Sequence, residues 1–120
     1  MKDRELIELA AKSAGIAGYR YSNGFGCMAH WNESDGGWFD ACCLWNPLTD
    51  DGDALRLAVK LSLHICIDAE SAGAITVEWG FDEGGCAQHS VVENSQDEPG
   101  DCAATRRAIV RAAAEIGRGM

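Results

Sequence analysis

The hydrophobic pattern of this chain changes its period near Ser62, and that change restricts the fold more than any other feature. Beyond it, Leu63, Ile65 and Ile67 alternate with His64, Cys66 and Asp68, a period of two that only extended backbone presents. In "AITVEWGF", Ile75, Val77 and Trp79 alternate with Thr76 and Glu78, and "CAQHSVVE" gives a weaker third run. The intervening "AESAG" and "DEGG" are short turn-forming connections, so three consecutive antiparallel strands are predicted. Such a sheet has one apolar face that must be covered.

Three amphipathic segments can cover it. "DRELIELAAKSAGI" places Leu6, Ile7, Ala10, Ala11 and Ala14 on one helical face, with Asp3 positioned as N-cap and Gly15 as the C-terminal stop. In "WNPLTDDGDALRLAVKL", Pro47 sets a turn, Thr49 or Asp51 can cap, and Leu55, Ala58 and Leu61, with Leu57 beside them, form an apolar stripe that should end near Ser62. "CAATRRAIVRAAAEIGR" follows the polar loop "NSQDEPGD", with Asp101 as cap and Ile109, Ala112, Ala113 and Ile116 inward. The stretch "YRYSNGFGCMAHWNESDGGWFDACC" has turn signals at Asn23-Gly24 and Asp35-Gly36-Gly37 but no clear period, which suits short strands or an ordered loop. The order points to an α+β fold: one layered domain over residues 1–120, with a single antiparallel sheet of three or more strands packed by about three helices.

At 120 residues, 47% hydrophobic and 24% charged, the chain has the balance of a soluble domain with one core. No apolar run approaches transmembrane length, and "MKDRELIELAAK" interleaves charge with apolar residues where a signal peptide has an apolar core. A cytoplasmic location is expected, and free thiols with it: Cys27, Cys42, Cys43, Cys66, Cys86 and Cys102 form no C-x-x-C pair. Charge is unevenly spread. Fifteen acids between Tyr21 and Thr105 stand against Arg56 and Lys60 alone, a balance of −13, while residues 1–20 sum to +1 and 106–120 to +3. Such a surface repels phosphate backbones and attracts basic protein surfaces, including those that hold nucleic acid.

Several groupings carry potential chemistry, each with a plainer reading beside it. Asp51-x-Asp53 has the start of a calcium loop, but the further ligands and closing glutamate are absent, and helix capping accounts for the acids. His64, Cys66, Glu78, Cys86 and His89 could gather on one sheet face to ligate zinc or exchange protons; polar residues on a water-facing sheet are equally expected there. Cys27-x-x-His30 with Cys42-Cys43 offers nitrogen and sulfur ligands at a spacing unlike paired zinc knuckles. Trp31, Trp38, Phe39 and Trp45 are interleaved with Glu33, Asp35 and Asp40; Trp38 and Trp45 suit a core, whereas Trp31 suits an interface equally well. Arg106, Arg107 and Arg111 suit a solvated face that pairs with the chain's own acids.

"WNPLTDDGDALRLAVKL", a strand pair with "ITVEW" and a late "ATRRAIVRAAAEIG" helix together resemble small phage and prophage proteins grouped as the phage ABA sandwich domain. There a Trp-x-Pro-x-Thr/Ser-Asp turn opens the central helix, and an alanine-rich helix closes the domain. The resemblance covers residues 45–80 and 103–117; the segment before residue 44 has no counterpart. It implies an α/β/α sandwich or related layering, a phage or prophage origin, structural roles for Trp45, Pro47, Thr49 and Asp50, and no catalytic residue or cofactor to carry over. By type, small acidic phage proteins include anti-CRISPR inhibitors that occupy nucleic-acid-binding surfaces. The expected function is that of a non-enzymatic accessory protein binding a host protein, such as a nucleic-acid-binding defence complex. Trp31, Glu33, Asp35, Asp40, Asp50, Asp51 and Asp53 are the candidate partner-binding residues, with no metal, membrane or direct nucleic-acid contact. The alternatives are a metal- or thiol-dependent enzyme using His64, Cys66, Glu78 and His89, and a structural homo-oligomer, in the simplest case a homodimer, joined by the aromatics of residues 31–45.

Overall fold

The computed structural model describes residues 2–16, 19–32, 37–38, 44–68, 73–94 and 101–120, with backbone alone at 30–32, 37–38, 68 and 101. Helix α1 spans Asp3–Ala14, and strands β1 (Tyr19–Ser22), β2 (Cys27–Asn32), β3 (Gly37–Trp38) and β4 (Leu44–Trp45) follow. Helix α2 (Asp51–Lys60) leads into β5 (His64–Asp68), β6 (Ala74–Phe81) and β7 (Ala87–Asn94), and α3 (Asp101–Arg118) comes last. The α+β class and the sheet of three consecutive antiparallel strands agree with the sequence reading.

The change of period falls at a specific backbone device. Helix α2 ends at Lys60 with Leu61 as its C-cap, and Ser62 adopts a left-handed conformation at φ 54°. Its N–H donates to the Val59 carbonyl and that of Leu63 to the Ala58 carbonyl, so two terminal carbonyls are satisfied as the chain turns out of the helix. Gly15 does the same for α1 at φ 67°, with Ile16 N–H donating to the Ala11 carbonyl.

The N-caps of α1 and α2 differ from expectation, and Asp101, expected to cap α3, is that helix's first residue. Lys2, not Asp3, precedes the first helical residue of α1, and it supplies no side-chain cap. Asp3 lies inside the first turn, where its carboxylate accepts from Arg107 Nη1 at 3.2 Å. For α2 the cap is Asp50 rather than Thr49 or Asp51: its Oδ1 accepts the Asp53 N–H at 2.8 Å. Thr49 is held one residue too early, its N–H donating to the Asn46 carbonyl within the preceding turn.

The region without a clear period forms a second sheet, so the fold has two sheets where one was expected. β2 pairs antiparallel with β1, β3 and β4. The other sheet has the order β5-β6-β7. α3 packs on β6, β7 and α1, α2 packs on α3, and α1 in turn packs on β1 and β2. The larger core joins Leu6, Ala10 and Ala14 of α1 and Ala54, Leu57 and Ala58 of α2 to Ile75, Val77 and Val91 of the sheet and Ala108, Ile109 and Ala112 of α3. A smaller core seats Ile7, Ala11 and Met28 against Tyr19, Tyr21 and Trp45. The five residues predicted as one face of α1 thus divide into two adjacent stripes. On the far side of β5-β6-β7, Cys66, Ser90 and Val92 are exposed. Among the described residues α1 and α3 therefore pack between the two sheets, within the expected α+β layering.

Candidate interaction surface

The acids of the "WNPLTDDGD" motif are engaged within the chain. Asp50 caps α2, and Asp53 Oδ2 accepts the Asn46 N–H at 3.0 Å while its Oδ1 takes Arg56 Nη2 at 2.7 Å. Asn46 Oδ1 accepts the Leu48 N–H, closing the turn around the buried Pro47. Arg106 of α3 then clamps the motif from outside, its Nε donating to the Leu48 carbonyl at 2.8 Å and its Nη1 to Asp51 Oδ1 at 2.6 Å. Three of the seven candidate partner-binding residues, Asp50, Asp51 and Asp53, therefore hold the α2 entry together. The side chain of Trp31 and the whole of Glu33, Asp35 and Asp40 lie outside the described residues; the backbone of Trp31 pairs with Trp38 across β2 and β3.

The arginines of α3 meet the chain's own carboxylates, as the sequence reading holds. Arg107 reaches Asp3 and Glu93, Arg111 donates to Glu93 at 2.7 Å and to the Val92 carbonyl, and Arg118 pairs with Glu115. On α1, Arg4 pairs with Glu8 and lies over the Tyr21 ring. These guanidinium groups are already coordinated, so they form no open cradle for phosphate.

The proposed acid-base constellation is divided between the two faces of the sheet. His64 stands opposite Glu78, which stands opposite Ser90, and the His64 Nδ1 to Glu78 Oε2 distance is 3.9 Å. Cys66 stands opposite Thr76, two positions along on the same face. His89 belongs to the next pair, opposite Trp79, and its ring stacks on the Trp79 ring at 5.4 Å and 18°. Alternation therefore directs His89 away from His64, Cys66 and Glu78. Among the described residues no three His, Cys, Asp or Glu side chains are placed to hold a metal ion.

Cys27 is buried on β2, and burial pushes its thiol up from the ordinary value of 9.0, with the Asp53 carboxylate adding to the effect. Its thiolate is thus disfavoured, and with it the form that ligates metals or attacks electrophiles. His30 stands in β2 with its backbone opposite Tyr19; its side chain, like Cys42 and Cys43 as a whole, lies outside the described residues.

An apolar groove of about 510 Å³ opens between α2, β5 and the start of α3. Ala54, Leu55, Ile65, Ile67, Cys102 and Ile109 line it, together with the Asp51–Arg106 ion pair. Leu55 is 61% exposed, Ile67 63% and Val59, one turn beyond Leu55, 71%. This corrects the predicted stripe of α2, which buries Ala54, Leu57 and Ala58 and leaves Leu55 outside. The signal was present: at about 100° per residue, Leu55 and Val59 form an i, i+4 pair rotated well away from the line through Ala54, Leu57 and Ala58. Exposed aliphatic groups gathered in this way mark a surface on which a protein partner or an apolar ligand can be received.

Set beside known protein families, curated proteins and solved structures, the chain matches none of them. Among the described residues no helix is long and apolar enough to cross a membrane.

Proposed function

We propose that this chain is a non-enzymatic phage or prophage accessory protein that docks its acidic surface on a basic, nucleic-acid-binding protein of the host cytoplasm, in the manner of an anti-CRISPR or other anti-defence inhibitor. The supporting observation is the way charge is distributed after pairing. Arg56, Arg106, Arg107, Arg111 and Arg118 are each met by carboxylates of the same chain, and the chain as a whole carries a net charge of −9. A field of that sign disfavours nucleic acid and steers basic partners toward the protein, most strongly at low ionic strength. The resemblance of the α2 entry and the alanine-rich last helix to small phage proteins points the same way.

Affinity capture from a bacterial host lysate at low ionic strength tests this reading. The expected result is a basic nucleic-acid-binding protein that salt releases and for which added nucleic acid competes. Recovery of no partner, or a complex indifferent to both salt and nucleic acid, would overturn it.

A further inference from the structure

We propose that the outer edge of β5 pairs antiparallel with β5 of a second copy of this chain, joining two sheets into one across a two-fold axis through Cys66. β5 stands at the end of the order β5-β6-β7, and among the described residues only β6 pairs with it. An edge strand presents a row of unpaired N–H and C=O groups, which proteins commonly blunt with lysine, proline or a bulge. The sequence His64-Ile65-Cys66-Ile67-Asp68 has neither lysine nor proline.

What selects a second copy is the self-complementarity of these five residues. A two-fold contact must match a surface to itself, so residue i meeting j requires j to meet i. With Cys66 opposite its own copy, Ile65 meets Ile67 of the other protomer twice, and His64 meets Asp68 twice. In this register an apolar residue stands opposite an apolar one, and a histidine position opposite an aspartate position at both ends. Sliding the pairing by one step in either direction about the same axis type places Ile65 or Ile67 opposite itself and breaks both His64–Asp68 pairs. The favoured register also keeps both sets of helices on one side of the joined sheet, because directly opposed residues share a face. Ile67, now 63% exposed, and the groove beside Leu55 then lie along the contact between protomers.

Sedimentation of the full-length chain over a range of concentrations tests the proposal, and the expected result is a monomer–dimer equilibrium. Because Ile67 enters the contact twice, Ile67→Lys should weaken the dimer by about tenfold or more with the circular dichroism spectrum unchanged. His64→Asp should weaken it too, by setting acids opposite each other, and His64→Asp combined with Asp68→Lys should restore it. Opposed residues of antiparallel strands have Cα atoms roughly 4.5–5.5 Å apart, inside the range a disulfide spans. Diamide should therefore join two Cys66 thiols, taking up their two protons and two electrons as it becomes the hydrazine, and peptide mapping should find the Cys66–Cys66 link. A strict monomer at every concentration overturns the proposal. So does a dimer that Ile67→Lys leaves intact, or oxidation that joins chains through Cys86 or Cys102 instead.

Discussion

A single carboxylate decides how α2 begins. Asp50 accepts the Asp53 N–H at 2.8 Å, and the Asp53 carboxylate reaches back to the Asn46 N–H, so two otherwise unpaired donors at the helix entry are satisfied by neighbouring acids. Replacing Asp50 with Ala should lower stability by about 1 kcal/mol, read as a reduced urea midpoint at constant slope; an unchanged midpoint would show that water caps the helix equally well. The density of acids in this motif was legible in the sequence, and so was their capping purpose. Which acid caps was not, because Thr49, Asp50 and Asp51 are all competent residue types. The choice among them was made by the turn, where the Thr49 and Asp50 N–H groups both donate to the Asn46 carbonyl. His89 was misassigned to a shared cluster for a related reason: register decides which face a strand residue takes, and a one-residue difference moves it to the other side.

Between elements, α1 and α3 pack closely along small residues. Most buried positions along these helices are alanine, and Gly117 is buried against α1. A Cβ added at Gly117 would clash with the Leu9 carbonyl, which belongs to the backbone and cannot rotate aside. Two effects compete in Gly117→Ala: helix propensity gains about 1 kcal/mol, while overpacking costs about 1–3 kcal/mol. With backbone as the obstacle the second should win, giving a net loss of stability in thermal melts. Gly119→Ala, whose added Cβ would meet nothing closer than the Ile116 carbonyl at 3.7 Å, should be close to neutral. Elements with a strong period, α1, α2, α3 and strands β5, β6 and β7, were readable from the sequence because burial imposes that period. The second sheet was not, since β3 and β4 are two residues each, too short for any alternation to register, and β2 buries Cys27, Met28 and Ala29 in succession rather than alternately. The groove beside Leu55 was partly readable from helical angles, but its mouth depends on how α2 is set relative to β5.

At the scale of the molecule, charge works against compactness. The ion pairs of Arg4, Arg107 and Arg118 are largely exposed, and pairs of that kind are worth about 0–1 kcal/mol each. A net charge of −9 repels itself throughout the fold. Added sodium chloride at pH 7 screens both, and repulsion is the larger sum, so the melting temperature should rise with salt. A melting temperature that falls would mean that the arginine pairs outweigh the surplus of acid. The packing of α1 on α3 has a further consequence during synthesis. A ribosome releases Leu6, Ala10 and Ala14 into solvent long before Ala108, Ile109 and Ala112 exist to receive them, so the larger core closes only when the last helix emerges. Until then the Leu6, Ala10 and Ala14 stripe of α1 lacks its α3 partner even where Ile7 and Ala11 are already seated on β2, and that interval is when chaperones or proteases have access to it.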